Sequence, residues 1–178
     1  MDSPWLLLVY TVPAEPSRKR AYIWREVKRV GAIYLRDGVC ILPQQPETMA
    51  AAEAIAAKIH EFEGQATLVT GASVDPGRAE AVVVQFKSAR AAEYAEIAGE
   101  AERFLQHVAR ETEHREFSFA ELEELEEDLA KVKRWMGQVQ SRDYFPDGSN
   151  ARVEELLTRC DNALAEFLDA AAERDNST

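Results

Sequence analysis

The chain has 178 residues, 46% hydrophobic and 30% charged, and a formal net charge of −11. That length and apolar share allow one domain with a full core, or a small domain with a helical extension, and exclude a disordered or fibrous chain. There is no apolar run of about 18 residues, and the opening WLLLVYTV is too short to span a bilayer and has no positive leader or small-residue cleavage site, so a cytoplasmic protein away from membranes is expected.

WLLLVYTV is a nearly continuous apolar run closed by Pro13 and Pro16, which reads as a buried strand. Ser17 then offers an N-cap, Ile23, Val27 and Val30 follow at helical spacing, and Gly31 closes the segment. In AIYLRDGVCILP two β-rich runs flank Asp37-Gly38, a strong hairpin signal. A second helix, about Glu47 to Glu63, carries Ala52, Ile55, Ile59 and Phe62 on one face and stops at Gly64, and QATLVTGA follows as another strand. The order β-α-β-β-α-β is the ferredoxin-like one, with two helices on one face of a four-stranded antiparallel sheet.

DPGR reads as a linker, and the remainder as helical. From roughly Ala79, Val83, Phe86, Arg90, Tyr94, Ile97, Ala101, Phe104 and Val108 recur every three or four residues; AVVVQF alone also fits a strand, and the longer pattern favours a helix. Ser118 with Glu121 has the form of a capping box, Phe117 and Leu122 stand at staple positions, and Leu122, Leu125, Leu129, Val132, Met136 and Val139 form a stripe ending near Arg142. A last helix places Val153, Leu157, Cys160, Leu164, Phe167 and Ala171 on one side. The expected class is α+β: a ferredoxin-like domain over 1–75, then a three-helix antiparallel bundle or arm over 76–178. Cys40 and Cys160 lack CxxC spacing, fit a reducing compartment and read as core residues.

The charge is uneven. Residues 1–46 hold seven cations against four carboxylates, a net of +3, so the rest carries −14. On a helical wheel of the first helix, Arg18, Tyr22, Arg25 and Arg29 fall opposite the apolar face, Lys28 lies at its edge, and Lys19 and Arg20 flank the start. Guanidinium groups hold phosphates bidentately and a Tyr packs on sugar or base, so the stripe is a candidate phosphate or oxyanion site. The plainer reading is a solvated helix face, weakened because Glu26 alone relieves the like-charge repulsion.

Elsewhere the signals are weaker. His107, Glu111 and His114 share one helical face where a metal could sit, but in so Glu-rich a helix solvation is the simpler account, and no metal or other cofactor is assigned. His60 suits a helix C-terminus, and ELEELEEDL suits a solvated bundle face. No GxSxG, Walker, HExxH or GxGxxG motif occurs, the first strand ends in YTVP without a carboxylate, and no catalytic residue is assigned.

The run WLLLVYTVPAEPSRKRAYIWREVKRVGAIYLRDGVCILP resembles the N-terminal region of the ChrB chromate-resistance proteins, and FSFAELEELEEDLAKVKRW resembles the helical segment that follows there. The combination of PSRKRAYxWR with GVCILP is the specific part. A weaker likeness ties the βαββαβ unit to the middle domain of PaaX-type repressors. The resemblance implies a bacterial, chromate-responsive transcription regulator, or an accessory module of one, that binds operator DNA of a chromate-efflux operon. Arg18, Lys19, Arg20, Arg25, Lys28 and Arg29 are the residues implicated. The second reading is a non-catalytic module binding chromate, a related oxyanion or a protein partner through the same groups. No helix-turn-helix pattern appears, and −14 on the remainder opposes DNA; a homodimer pairing two stripes through the long striped helices would ease that repulsion.

Overall fold

The long apolar opening becomes β1 (Trp5–Thr11), one of two inner strands of the sheet. After it come α1 (Ser17–Arg29), β2 (Ile33–Arg36), β3 (Val39–Pro43), α2 (Pro46–Glu61), β4 (Gln65–Ala72), α3 (Pro76–His114), α4 (Phe119–Gln140) and α5 (Ala151–Asp175). This computed structural model describes residues 4–115 and 117–175. Its described residues form a mixed α+β protein with one four-stranded antiparallel sheet, ordered β2-β3-β1-β4, and five helices. They divide into two compact units, one through Phe86 and one from Lys87 on, the division falling within α3.

In the first unit, Leu6 pairs with Leu42 and Leu8 with Cys40, putting all four on one face of the sheet. All four are buried, as are Ile23 and Val27 of α1 and Ala52, Ile55 and Ile59 of α2. Each such aliphatic side chain contributes about 1.5–3 kcal/mol by leaving water. On the opposite face Ile41 is also fully buried, and Trp5 stacks on Phe86 of α3 with ring centroids 6.1 Å apart.

Local chemistry sets the ends of α1. Ser17 is its first helical residue rather than its cap: extended Pro16 (φ −75°, ψ 143°) holds the cap position without a side-chain hydrogen bond. Proline's fixed φ suits that position, and its carbonyl accepts the Lys19 N–H at 3.0 Å. At the other end Gly31, at φ 77°, donates to the Lys28 carbonyl at 3.0 Å and Ala32 donates to that of Val27 at 3.2 Å, a Schellman closure. Asp37 and Gly38 form the two-residue β2–β3 turn; Gly38 has φ 69°, and a Cβ there would clash with the Tyr10 carbonyl oxygen.

α2 begins at Pro46, capped by Gln45, whose backbone N–H donates to the Thr48 hydroxyl at 3.0 Å. Its left-handed closing residue is Glu63 (φ 63°), not Gly64. The Glu63 N–H reaches His60 and the Gly64 N–H reaches Ile59, both at 2.9 Å. Gly64 is small for another reason: a Cβ would strike the Thr11 carbonyl oxygen and Ile59.

In α3, AVVVQF is helical, part of a continuous run of 39 residues. Asp75 accepts the Arg78 N–H at 3.1 Å at its start. In the second unit, Tyr94, Ile97, Ala101 and Phe104 meet Leu125, Leu129, Met136 and Val139 of α4 and Val153, Leu156, Cys160 and Phe167 of α5 in one core. Cross-helix pairs fix the directions. Arg142 reaches Glu93 while Glu121 reaches His107, and Gln140 reaches Glu154 while Lys133 reaches Asp161, so α4 runs antiparallel to both α3 and α5. Ser118 caps α4 by accepting the Glu121 N–H at 3.1 Å, and Phe117 packs on Phe167 at 5.0 Å.

Candidate functional site

α1 carries Arg18, Lys19, Arg20, Arg25, Lys28 and Arg29 against the single carboxylate of Glu26, a net of +5 in a chain of −11. Burial of Ile23 and Val27 turns the stripe Arg18, Tyr22, Arg25, Arg29 outward, and all four are exposed. Among the described residues no carboxylate forms an ion pair with Arg18, Arg20, Arg25 or Lys28. The remaining two cations are engaged. Arg29 grips Glu26, with Nη2 2.5 Å and Nε 3.2 Å from the same oxygen, and this pairing holds its guanidinium more firmly protonated. Lys19 turns to the end of α2, donating to the Phe62 carbonyl at 3.3 Å and to Glu63 at 3.5 Å.

The aromatics divide in the same way. Tyr22 meets the Phe62 ring edge-on at 5.6 Å, with the Lys58 ammonium above both rings. One flank of the stripe is therefore fastened to α2. On the opposite flank, Arg20, Trp24 and Lys28 succeed one another at four-residue spacing, and Trp24 is 53% exposed. The sequence pattern did not single out Trp24, because on a wheel it borders the apolar face and reads as core; its position between two cations four residues away was the available signal.

Cys40 is 1% exposed and hydrogen-bonds Tyr34, whose hydroxyl lies 2.7 Å from that of Tyr10. Burial, opposed by the Tyr34 hydrogen bond and the nearby Lys28 charge, pushes the thiol up to about 12, and burial likewise raises both phenols. Cys40 is thus a protonated core thiol at neutral pH. Cys160, fully buried beside the Ala101 carbonyl, is pushed up to about 11, chiefly by burial.

Of His107, Glu111 and His114, the structure brings together the first two. His114 is exposed and outside the cluster, and Glu121 of α4 takes its place. His60 lies 3.3 Å from the Gly64 carbonyl at the end of α2, and Glu123, Glu124, Glu126 and Glu127 of the acidic run face solvent. No helix among the described residues is long and apolar enough to cross a membrane.

Comparison with known proteins adds identity to this geometry. The chain is 29% identical over 167 residues to Protein ChrB of Cupriavidus metallidurans, a match covering 94% of this chain and 48% of that protein, so the chain spans about half the length of the curated relative. No solved structure matches. The family profile described as Protein ChrB, N-terminal, matches residues 20–177, which takes in α1 from Arg20 and everything after it, and on that span the chain belongs to the ChrB N-terminal family.

Proposed function

We propose that the chain is the DNA-contacting part of a chromate-responsive transcription regulator, acting in the cytoplasm, with the outer face of α1 laid against DNA phosphates. The observation that carries this reading is an exposed cationic face, with Arg18, Arg20, Arg25 and Lys28 in no ion pair among the described residues, on a chain that is otherwise strongly acidic. Like charges held this close cost stability unless an anion relieves them. Family membership supports the chromate context. The β-α-β-β-α-β order with β1 and β3 inside supports reading the sheet unit as ferredoxin-like.

The spread of the donors favours a polyanion over a single oxyanion. At a helical rise of 1.5 Å per residue, Arg18 and Arg29 lie about 16 Å apart along the axis. Groups so spaced on a convex surface cannot converge on one chromate ion, but they can follow successive phosphates. Exposed Trp24 offers a ring to sugar or base between Arg20 and Lys28. In this reading Arg18, Arg25 and Arg29 are the principal contacts, Arg20 and Lys28 flank them, and Lys19 and Tyr22 position the helix from its α2 side. A homodimer pairing two such faces would offset the acidic charge elsewhere. A salt titration of DNA binding tests the proposal, because five phosphate contacts imply a slope of log K on log salt of about −4.5. A nearly flat salt dependence with competition by sulfate would move the function to oxyanion binding.

A further inference from the structure

Separate from the basic helix, the second unit holds a cluster whose chemistry the family assignment does not use. His107 and Glu111, one turn apart near the end of α3, meet Glu121 from the first turn of α4. His107 Nε2 lies 3.0 Å from Glu121 Oε1 and 3.6 Å from Glu111 Oε1, and all three donor atoms fall within 4.8 Å of one another. Glu111 is 5% exposed, and the other two side chains are mostly covered.

Two features set this apart from an ordinary surface ion pair. Glu121 occupies the position from which a capping-box glutamate reaches back to the Ser118 N–H. Ser118 does accept the Glu121 N–H, but the Glu121 carboxylate turns to His107 instead. Moreover, Glu121 Oε1 is buried and receives no hydrogen bond among the described residues, although the imidazole nitrogen is 3.0 Å away. The two atoms, one from α3 and one from α4, approach to 3.0 Å near the ends of their helices. A buried, unsatisfied carboxylate oxygen is the kind of group that an ion explains.

We propose that His107, Glu111 and Glu121 form a binding site for a divalent first-row transition metal ion. One imidazole nitrogen and two carboxylate oxygens suit Mn²⁺, Fe²⁺, Co²⁺ or Zn²⁺. Ligand bonds of about 2.0–2.2 Å place neighbouring donors about 3.0 Å apart in an octahedron and about 3.4 Å apart in a tetrahedron, close to two of the separations here. The third edge closes by rotation of the Glu121 side chain, and water completes the shell. Arg110, whose Nε donates to Glu111 Oε1 at 2.9 Å, is 59% exposed at its side chain and free to swing aside or remain as an outer partner. By joining α3 to the start of α4, the ion would fasten that end of the bundle.

The test is calorimetric titration of EDTA-treated full chain with ZnCl₂ and MnCl₂, beside His107→Gln, Glu121→Gln and His114→Ala, each checked for native helicity. The site predicts one ion per chain, at least about tenfold weaker binding in the first two variants, and unchanged binding in His114→Ala. Cobalt substitution, followed by visible absorption, reads ligation without depending on any variant's folding. No saturable one-ion binding at millimolar metal, or equal binding by wild type, His107→Gln and Glu121→Gln, would overturn the assignment.

Discussion

The Lys19 ammonium donates to the Phe62 carbonyl at 3.3 Å, and this contact divides the basic helix into an anchored edge and a free face. Phe62 and Glu63 lie just past α2, where backbone carbonyls lack helical partners, so Lys19 satisfies an otherwise open acceptor. Lys19→Ala should lower stability by about 1 kcal/mol while changing the salt slope of DNA binding little. Arg18→Ala with Arg25→Ala should do the reverse, reducing the slope by about 1.8 with an unchanged denaturation midpoint. Denaturant unfolding and binding isotherms on the same preparations separate the two effects.

Gly38 tests the β2–β3 hairpin. Its φ of 69° is strained for any side chain, a Cβ would meet the Tyr10 carbonyl oxygen, and its own carbonyl accepts the Tyr10 N–H at 2.7 Å. Gly38→Ala should therefore cost about 2–4 kcal/mol, read as a lower urea midpoint.

Cys40 and Cys160 should resist a thiol reagent in the native protein at pH 8 and react together on unfolding. The pH dependence follows from the raised thiols. Below about pH 9 both states keep the protons; above it the unfolded chain ionises while folded Cys40, pushed up to about 12, does not. Stability is thus fully present below pH 9 and lost as pH rises toward 12. Cys40→Ala should flatten the early part of that loss, up to about pH 10, where Tyr10 and Tyr34 begin to contribute in the same direction.

Glu93 ties the second unit together at the end opposite the His107 cluster. Its two oxygens lie 2.9 Å from Arg90 Nε and 2.9 Å from Arg142 Nη2, and Arg90 is 6% exposed, its guanidinium pKa lowered chiefly by burial. Glu93→Gln leaves two largely buried cations with one carboxylate fewer, so a loss of about 2–4 kcal/mol is expected in thermal unfolding. Changing exposed Lys131, paired with Asp128 at 3.0 Å, should leave the thermal unfolding midpoint essentially where it is.

Much of this architecture was legible because it is written in local patterns. Val27 and Ile23 mark the inner face of α1, Asp37-Gly38 marks the hairpin, and the Ser118 cap with Leu125 and Leu129 marks α4. Where local signals competed, the backbone decided: Pro16 displaced Ser17 from the cap, and Glu63 took the left-handed position expected of a glycine, because Gly64 was needed one residue later beside Thr11. The candidate sites were less legible. Tyr22 looks equivalent to Arg18 and Arg25 on a wheel, and only the arrival of Phe62 from the end of α2 distinguishes it. Likewise, the spacing of His107, Glu111 and His114 could not reveal that Glu121 of an antiparallel neighbour would stand in for His114.

The central claim, that the outer face of α1 holds DNA phosphates, is tested most directly by fluorescence anisotropy on DNA from upstream of the protein's own reading frame. Wild type and the Arg18/Arg25/Arg29→Ala variant would be compared across a salt series, with and without chromate. The account predicts wild-type binding with a slope of about −4.5, weakened by chromate, and a variant whose slope falls to about −2. A folded wild-type protein that fails to bind at low salt, or a variant that binds as tightly with the same slope, would contradict it.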